Sequence, residues 1–159
     1  MHFPHSSKKR LAEIRRQLIE SKRCFFAGED ICFSREYGRI YRFAKTEDYA
    51  YVFSCVEELK DFCCPYFCFR EEGETIEGVK LQEDDFPVTV RNARAGDFIT
   101  LRYGKKKVNR FFIDRKILLK DRLSWPLMEN RKGDVIFVSG IGCDINHYCE
   151  KQKIFMVKL

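Results

Sequence analysis

Hydrophobic and polar residues alternate most clearly between residues 86 and 103, and this pattern predicts two β-strands. In FPVTVRN (86–92) and FITLRY (98–103), apolar side chains fall at about every second position, as they do in strands with one buried face. Between the two runs, Ala95, Gly96 and Asp97 favour a turn, so we expect the second strand to return beside the first.

A helix is predicted next, because the spacing of the apolar residues changes after Gly104. In KKKVNRFFIDRK (105–116), Val108, Phe111 and Phe112 are spaced to lie on one helical face. A short helical turn around 119–123 is expected to end before Pro126. The remaining strands are predicted in PLMEN (126–130) and DVIFVSG (134–140), which form a hairpin, and in KIFMVKL (153–159).

The first half of the chain has less regular patterns. Leu11, Ile14 and Leu18 have the spacing of a helix face. ICFSREYGRIYRFA (31–44) predicts a β-hairpin with its turn at 36–38. We expect the helix to be capped by Ser6 or Ser7 and to end near Lys22. The segments that follow the hairpin fit more than one type of element: strand or helix at 48–59, an edge strand or bend at 61–70, and a loop or short strands at 71–85.

These elements predict an α+β fold, with a small mixed or antiparallel sheet and one or two packed helices, preceded by a helix and a β-hairpin. We expect residues 1–85 to hold the helix, the hairpin and an acidic β-rich connecting segment, and residues 86–159 to form a C-terminal domain. The chain has 159 residues, 45% of them hydrophobic, which is enough to bury a core. No apolar run approaches the ~20 residues of a membrane span, and no secretory signal is recognisable, so we expect a cytoplasmic protein without a membrane partner.

Charge is distributed unevenly along the chain. Residues 45–90 contain four Lys and Arg against twelve Asp and Glu, whereas residues 91–132 contain thirteen against four. Such a basic block attracts a negatively charged partner. Arginine forks and lysine ammonium groups are suited to phosphate oxygens, and lysines 105–107 are expected at the start of the predicted helix, where backbone N–H groups add donors. The pattern alone therefore favours nucleic-acid binding over a merely solvated face.

The eight cysteines are interpreted mainly as reduced, small core residues, because their spacing and the missing export signal do not indicate a disulfide framework. A zinc site stays open as the alternative, although the paired C-x-x-C spacing of a typical zinc site is missing. Two groups could supply the ligands: Cys63, Cys64 and Cys68, or Cys143, His147 and Cys149.

No catalytic site is predicted. The sequence contains no G-x-x-x-x-G-K-[ST] loop, no G-x-G-x-x-G that opens a helix, and no H-E-x-x-H helix. The adjacent acids Asp84 and Asp85, like Glu71 and Glu72, are interpreted as solvated loop charges. His147 has no triad-like partner that is visible in the sequence.

Four motifs, in this order, resemble the C-terminal domain of the tRNA(Ile)-lysidine synthetase family. They are VRNARAGDFI (90–99), GKKKVNRFFIDRKI (104–117), DRLSWPL (121–127) and GDVIFVSGIG (133–142). The resemblance runs from about Phe86 to the end of the chain and extends less securely upstream. The chain departs from the family at Leu118, where a proline is common, and FCCPYFCF (62–69) matches no family motif.

The resemblance implies a function in tRNA modification. Enzymes of this family are ligases that use ATP to adenylate the wobble cytidine of a tRNA and then attach lysine. Their N-terminal domain holds the nucleotide with a Ser-Gly-Gly-x-Asp-Ser motif, which this sequence lacks. We therefore expect no catalytic residue and no cofactor in this chain, and ATP and Mg²⁺ belong to the full-length enzyme. By resemblance, the chain grips the tRNA acceptor stem, and its partner is the N-terminal catalytic domain; a homodimer stays open.

The charge pattern and the resemblance together assign nine tRNA contacts. They are Arg91, Arg94, Lys105, Lys106, Lys107, Arg110, Arg115, Lys116 and Arg122. Other motif positions are interpreted as architectural: Gly96, Asp97, Asp114 and Pro126. Two different functions stay open as alternatives, namely a basic module that docks an acidic protein surface and a zinc-stabilised structural domain.

Overall fold

The computed structural model describes residues 8–20, 24–27, 30–151 and 153–159. These residues form two compact units. The first comprises the described residues up to Thr46 together with Leu118–Lys120, and the second comprises Glu47–Ile117 together with Asp121–Leu159. In the described part of the chain, no helix has both the length and the apolar content that crossing a bilayer requires.

The first unit contains a helix and a three-stranded antiparallel sheet. Its elements are α1 (Lys8–Glu20), β1 (Cys24–Ala27), β2 (Ile31–Glu36) and β3 (Arg39–Ala44). The predicted hairpin is confirmed, because β2 and β3 pair from Ile31↔Ala44 to Glu36↔Arg39 around a two-residue turn. The predicted helix is confirmed over Lys8–Glu20; its serine cap and its end near Lys22 lie outside the described residues.

The described residues of the second unit form ten strands in two sheets. The strands are β4 (Ala50–Phe53), β5 (Phe67–Arg70), β6 (Gly78–Val79), β7 (Val88–Asn92), β8 (Phe98–Leu101), β9 (Gly104–Lys107), β10 (Pro126–Glu129), β11 (Val135–Val138), β12 (Gly142–Cys143) and β13 (Ile154–Lys158). The larger sheet has the order β4-β7-β10-β11-β8-β9, with β12 beside β11, and the smaller one has the order β5-β13-β6. Helix α2 (Val108–Asp114) follows β9 in this unit. Helix α3 (Leu119–Arg122) is divided, because Leu119 and Lys120 belong to the first unit.

Two apolar clusters make up the core of this unit. In the first, residues of the larger sheet such as Val90 and Ile136 pack with Phe67, Phe69 and Met156 of the smaller sheet. The second cluster joins α2 to the larger sheet and includes Ile99, Val108, Phe112 and Leu127. The mixed, mainly antiparallel α+β fold that the sequence predicts is thus confirmed. Residues of the larger sheet pack with the smaller sheet in one cluster and with α2 in the other.

The predicted neighbours of two strands are wrong. The strand at 98–103 does not return beside the strand at 86–92, because the hairpin of β10 and β11 lies between them. β7 pairs with β10, whereas β8 pairs in parallel with β11 at Ile99↔Val135 and antiparallel with β9. All four residues of β11 are buried, so this apolar strand occupies the centre of the sheet. Alternation along one strand carries no information about which strand lies beside it.

The predicted start of the helix at 105–116 is also wrong. Lys105, Lys106 and Lys107 belong to β9, and the helix begins at Val108. Gly104, with φ of +109°, closes a hairpin whose two loop residues are Arg102 and Tyr103. The lysines then pair along β8, because a backbone edge that would otherwise be unpaired gains a full ladder of hydrogen bonds.

The boundary expected at residue 86 stays a prediction. The sheet connects sequence on both sides of that position, since β4 pairs with β7 from Ala50↔Arg91 to Phe53↔Val88. The three apolar runs predicted as strands at 126–130, 134–140 and 153–159 are confirmed as β10, β11 and β13.

Candidate nucleic-acid interface

Strand β9 divides its three lysines between two faces. Successive side chains of a strand point in opposite directions. Lys105 lies opposite Thr100 and Lys107 opposite Phe98, and both lysines are exposed. Lys106 lies opposite the buried Ile99, on the face that packs against α2. Lys105 and Lys107 therefore form an outward pair that a helix would not have produced.

Lys106 is held by residues of α2. Its Nζ lies 3.2 Å from Asp114 Oδ2 and 4.0 Å from the centre of the Phe111 ring. Arg110 Nε lies 3.1 Å from the other oxygen of the same carboxylate. These groups are substantially exposed, so each ion pair contributes at most about 1 kcal/mol, but Asp114 offsets part of the positive charge at this point. Lys106 is accordingly less available to an external phosphate than Lys105 and Lys107.

Arg91 is buried in a network of two carboxylates. Its side chain is only 8% exposed, and its Nη2 lies 2.8 Å from both Asp97 Oδ1 and Glu129 Oε2. Its Nη1 donates to the Asn92 carbonyl oxygen at 3.0 Å. Burial alone would lower the pKa of the Arg91 guanidinium, but the hydrogen bonds and charges of Asp97 and Glu129 outweigh that effect and raise it. This guanidinium connects β7, β10 and the turn before β8, and it presents little surface to a ligand.

Arg94 lies in that same turn and is exposed. Its backbone N–H donates to Asp97 Oδ2 at 2.6 Å, so the Asp97 carboxylate fixes the turn and binds Arg91 at once. Arg94 therefore belongs to an exposed loop between β7 and β8 that the Asp97 carboxylate holds in place.

The last three predicted contacts follow α2. Arg115 is exposed and donates a short hydrogen bond to the Gly140 carbonyl oxygen. Lys116 is exposed, and its φ of 55° ends the helix. Arg122 is half-buried, with its Nε 2.7 Å from the Ile117 carbonyl oxygen. Arg115 and Arg122 thus have structural hydrogen bonds, while the Lys116 ammonium group faces solvent.

The tip of the β8–β9 hairpin carries two exposed residues that were not among the predicted contacts. Arg102 and Tyr103 are both exposed there, Tyr103 to 88%. Two further exposed cations, Arg131 and Lys132, lie in the turn between β10 and β11. The signal for the first pair was present in the short Arg-Tyr-Gly step between two strands, but assigning 105–107 to a helix concealed it.

A buried histidine network was missed as well. His147 Nε2 lies 3.0 Å from Asp85 Oδ1, and its Nδ1 forms a short hydrogen bond with Asp144. Asp85 is only 7% exposed, so its interpretation as a solvated loop charge is wrong. Its side chain also accepts the Gln82 N–H at 2.8 Å, within the 3-10 helix at Glu83–Asp85. A sequence separation of 62 residues between Asp85 and His147 concealed the pair.

The two carboxylates favour the charged form of the imidazole. Both ring nitrogens face an acceptor, and only the protonated ring can donate from both. Burial on its own would lower the pKa of His147, but the hydrogen bonds to Asp144 and Asp85 and the charges of those carboxylates outweigh it and raise the pKa. The network therefore joins the acidic segment before β7 to the loop after β12 as a structural ion cluster.

This geometry disfavours the zinc site built on Cys143, His147 and Cys149. Both ring nitrogens of His147 are already engaged with carboxylates, and burial raises the pKa of the Cys143 thiol to about 11, which makes the thiolate that a metal needs costly to form. Among the residues that the structure describes, no three His, Cys, Asp or Glu side chains are arranged to hold a metal ion.

The comparisons with known proteins point to one group of enzymes, although no protein-family model matches the chain. The tRNA(Ile)-lysidine synthase of Bacillus subtilis (strain 168) is 36% identical to it over 74 residues, which are 45% of this chain and 16% of that protein. The enzyme of Bacillus licheniformis is 33% identical over 72 residues, 44% of this chain and 15% of that protein. The enzyme of Staphylococcus epidermidis (strain ATCC 12228 / FDA PCI 1200) is 36% identical over 94 residues, 53% of this chain and 22% of that protein.

A solved structure is also similar, the crystal structure of the TILS C-terminal domain. It has a TM-score of 0.48 and 21% sequence identity, and the match covers 69% of this chain and 93% of that one. The sequence identity to the Bacillus enzymes confirms the resemblance to the C-terminal part of tRNA(Ile)-lysidine synthases. The chain spans only about one sixth of the length of the Bacillus enzymes that it matches.

Proposed function

We propose that this chain is the tRNA-binding part of a tRNA(Ile)-lysidine synthase and that it grips the acceptor stem. The observation that carries the proposal is the outward pair Lys105 and Lys107, which lies in a segment resembling the C-terminal region of these enzymes. Further exposed cations at Arg94, Arg110 and Lys116 add to it. Of the nine contacts predicted from the sequence, Arg91 is left out, because its guanidinium is already bound by two carboxylates.

The chemistry of these groups suits a duplex of RNA. The base edges of A-form RNA lie in a deep and narrow major groove. Its shallow minor groove presents phosphates and 2′-hydroxyl groups. Lysine and arginine side chains on strands and helix ends bind phosphates without reading base sequence. We therefore expect this chain to recognise the shape of a stem.

Catalysis is assigned to another domain. We propose that an N-terminal domain of the same enzyme, in the cytoplasm, binds ATP and Mg²⁺ and ligates lysine to the wobble cytidine. This chain then holds the tRNA at a distance from the reacting base. The proposal needs no second copy of the chain and no metal in it.

The test is the salt dependence of tRNA binding by the purified chain, measured by filter binding. Releasing counterions from a duplex phosphate contributes about 0.9 to the slope of log affinity against log salt. The double variant Lys105→Ala with Lys107→Ala should therefore bind tRNA more weakly and flatten the slope by about 1.8. Lys106→Ala is the matched control, and we expect less than half of that change from it.

Two results would lead us to abandon this proposal. One is a double variant with the same affinity and slope as the wild type. The other is a chain that binds no tRNA but elutes with an acidic protein in size-exclusion chromatography, regardless of added tRNA, which would favour the protein-docking alternative.

A further inference from the structure

We propose that Tyr103, at the tip of the β8–β9 hairpin, stacks on an unpaired base of the bound RNA while Arg102 and Lys105 contact the phosphates beside it. The ligand class is a duplex RNA that continues into a single-stranded end. This inference rests on the proposed RNA-binding function and adds a base contact to it.

The backbone of the hairpin does not require a tyrosine at this position. Leu101 pairs with Gly104, which leaves Arg102 and Tyr103 as the only loop residues. The left-handed φ of +109° that closes the loop belongs to Gly104, and glycine adopts that conformation without strain. Arg102 and Tyr103 themselves have no left-handed φ, so most residue types fit these two positions and the turn does not select an arginine or a tyrosine.

Tyr103 is also highly exposed to solvent. Its side chain is 88% exposed, the highest fraction among the exposed large hydrophobic residues of the described chain. One exposed apolar residue is common on protein surfaces and indicates little by itself. Tyr103 lies on the same hairpin as Phe98, which is 44% exposed. The centre of the Phe98 ring lies 5.7 Å from Lys107 Nζ.

Cations and aromatic rings consequently share this ribbon. Arg102 lies beside Tyr103 at the tip, and Lys105 and Lys107 follow on the outward side of β9. A cationic track with interspersed aromatic rings is the surface that binds single-stranded nucleic acid, since the ring stacks on the base and the cations meet the backbone. A protein partner would present acidic groups to these cations, whereas an aromatic ring at the tip of a narrow ribbon can stack on the free face of a base.

The stacking requirement selects the kind of RNA. Bases inside a duplex are already stacked on both sides, so an inserted ring would have to separate them. An unpaired base next to a stem offers a free face without that cost. A ribbon tip extending beyond the stem-binding cations would reach such a base.

The experiment compares two RNA hairpins with identical stems, one blunt and one with a four-nucleotide 3′ overhang that carries 2-aminopurine. Binding to the full chain is measured by mobility shift, and stacking by quenching of the 2-aminopurine fluorescence. Tyr103→Ala should lose roughly 5- to 100-fold in affinity for the overhang RNA, abolish the quenching and leave affinity for the blunt stem unchanged. Tyr103→Phe should retain both, because the face of the ring is preserved. Lys105→Ala should weaken binding to both RNAs, and this variant serves as the control for phosphate contacts.

The outcomes separate the two proposals. If the wild-type chain binds neither RNA, the proposed function is wrong and the stacking role falls with it. If the wild type binds both RNAs equally and Tyr103→Ala binds like the wild type, RNA binding stands and the role of Tyr103 is overturned. If Tyr103→Ala weakens the blunt stem as much as the overhang RNA, the ring contacts the duplex, and the assignment to an unpaired base is wrong.

Discussion

Replacing Arg91 by methionine should destabilise the second unit more than any surface substitution. The change removes the guanidinium between Asp97 and Glu129 and leaves two carboxylates that are only 10% and 23% exposed. Breaking a buried ion pair by removing one partner costs about 3–5 kcal/mol, because the remaining charge is desolvated and uncompensated. Glu129 has some access to water and can relax toward it, so we expect a loss near about 3 kcal/mol.

Urea unfolding followed by Trp125 fluorescence measures this loss. Trp125 is the single tryptophan, and it packs against Phe112 in the second unit with 5.4 Å between ring centres. With an m-value of about 2 kcal/mol/M, a loss of about 3 kcal/mol lowers the midpoint by about 1.5 M urea. Lys105→Ala replaces an exposed lysine on the same sheet. This variant should change the free energy of unfolding by no more than about 0.5 kcal/mol.

Further variants separate charge from packing. Arg91→Lys keeps the charge but loses the planar fork, so it should lie between the wild type and Arg91→Met. Combining Arg91→Met with Asp97→Asn and Glu129→Gln removes the unpaired charges and should recover part of the loss. If Arg91→Met changes the free energy of unfolding by less than about 1 kcal/mol and abolishes tRNA binding, the guanidinium binds the RNA and its structural role is refuted.

Two other predictions concern the buried network and the aromatic core. The pKa of His147 is raised in the folded state above 6.5, so its contribution to stability is fully present below pH 6.5 and is lost as the pH rises through the folded pKa. Urea midpoints between pH 6 and pH 9 should consequently fall further for the wild type than for His147→Gln; equal falls would contradict the charged network. Phe67 is fully buried and lies 5.6 to 5.7 Å, centre to centre, from the rings of Tyr51, Phe62 and Phe69. Phe67→Ala should cost about 3–5 kcal/mol by the same assay and Phe67→Leu clearly less, so similar losses for the two would argue against a cavity as the cause.

The elements that the sequence predicts well are those whose pattern is local. The hairpin at 31–44 and the strands β7, β10, β11 and β13 each carry alternation or a continuous apolar run within four to six residues. The resemblance to lysidine synthases likewise depends on short motifs in a fixed order, and both the motifs and their order can be read directly from the amino-acid sequence. These features need no knowledge of which distant segments meet.

The three consecutive lysines 105–107 show where prediction from the local sequence pattern fails. KKKVNRFF supports a helix from its first lysine as well as a strand followed by a helix, because lysine is a good helix former and is also common on edge strands such as β9. Pairing with β8 decides the matter, and the alternation of β9 then sends Lys105 and Lys107 outward and Lys106 toward Asp114. Charge counting could not distinguish these three ammonium groups.

The sequence by itself determined the composition of the strands, the α+β class, the basic block and the family that the chain resembles. Only the tertiary structure decided how the charges are used. It buried Arg91 between two carboxylates, paired Asp85 with a histidine 62 residues away, and left Tyr103 at an exposed hairpin tip. The physical reason is that an ionic group is free or engaged according to the desolvation and the counter-charges around it, and these come from segments that are distant in sequence.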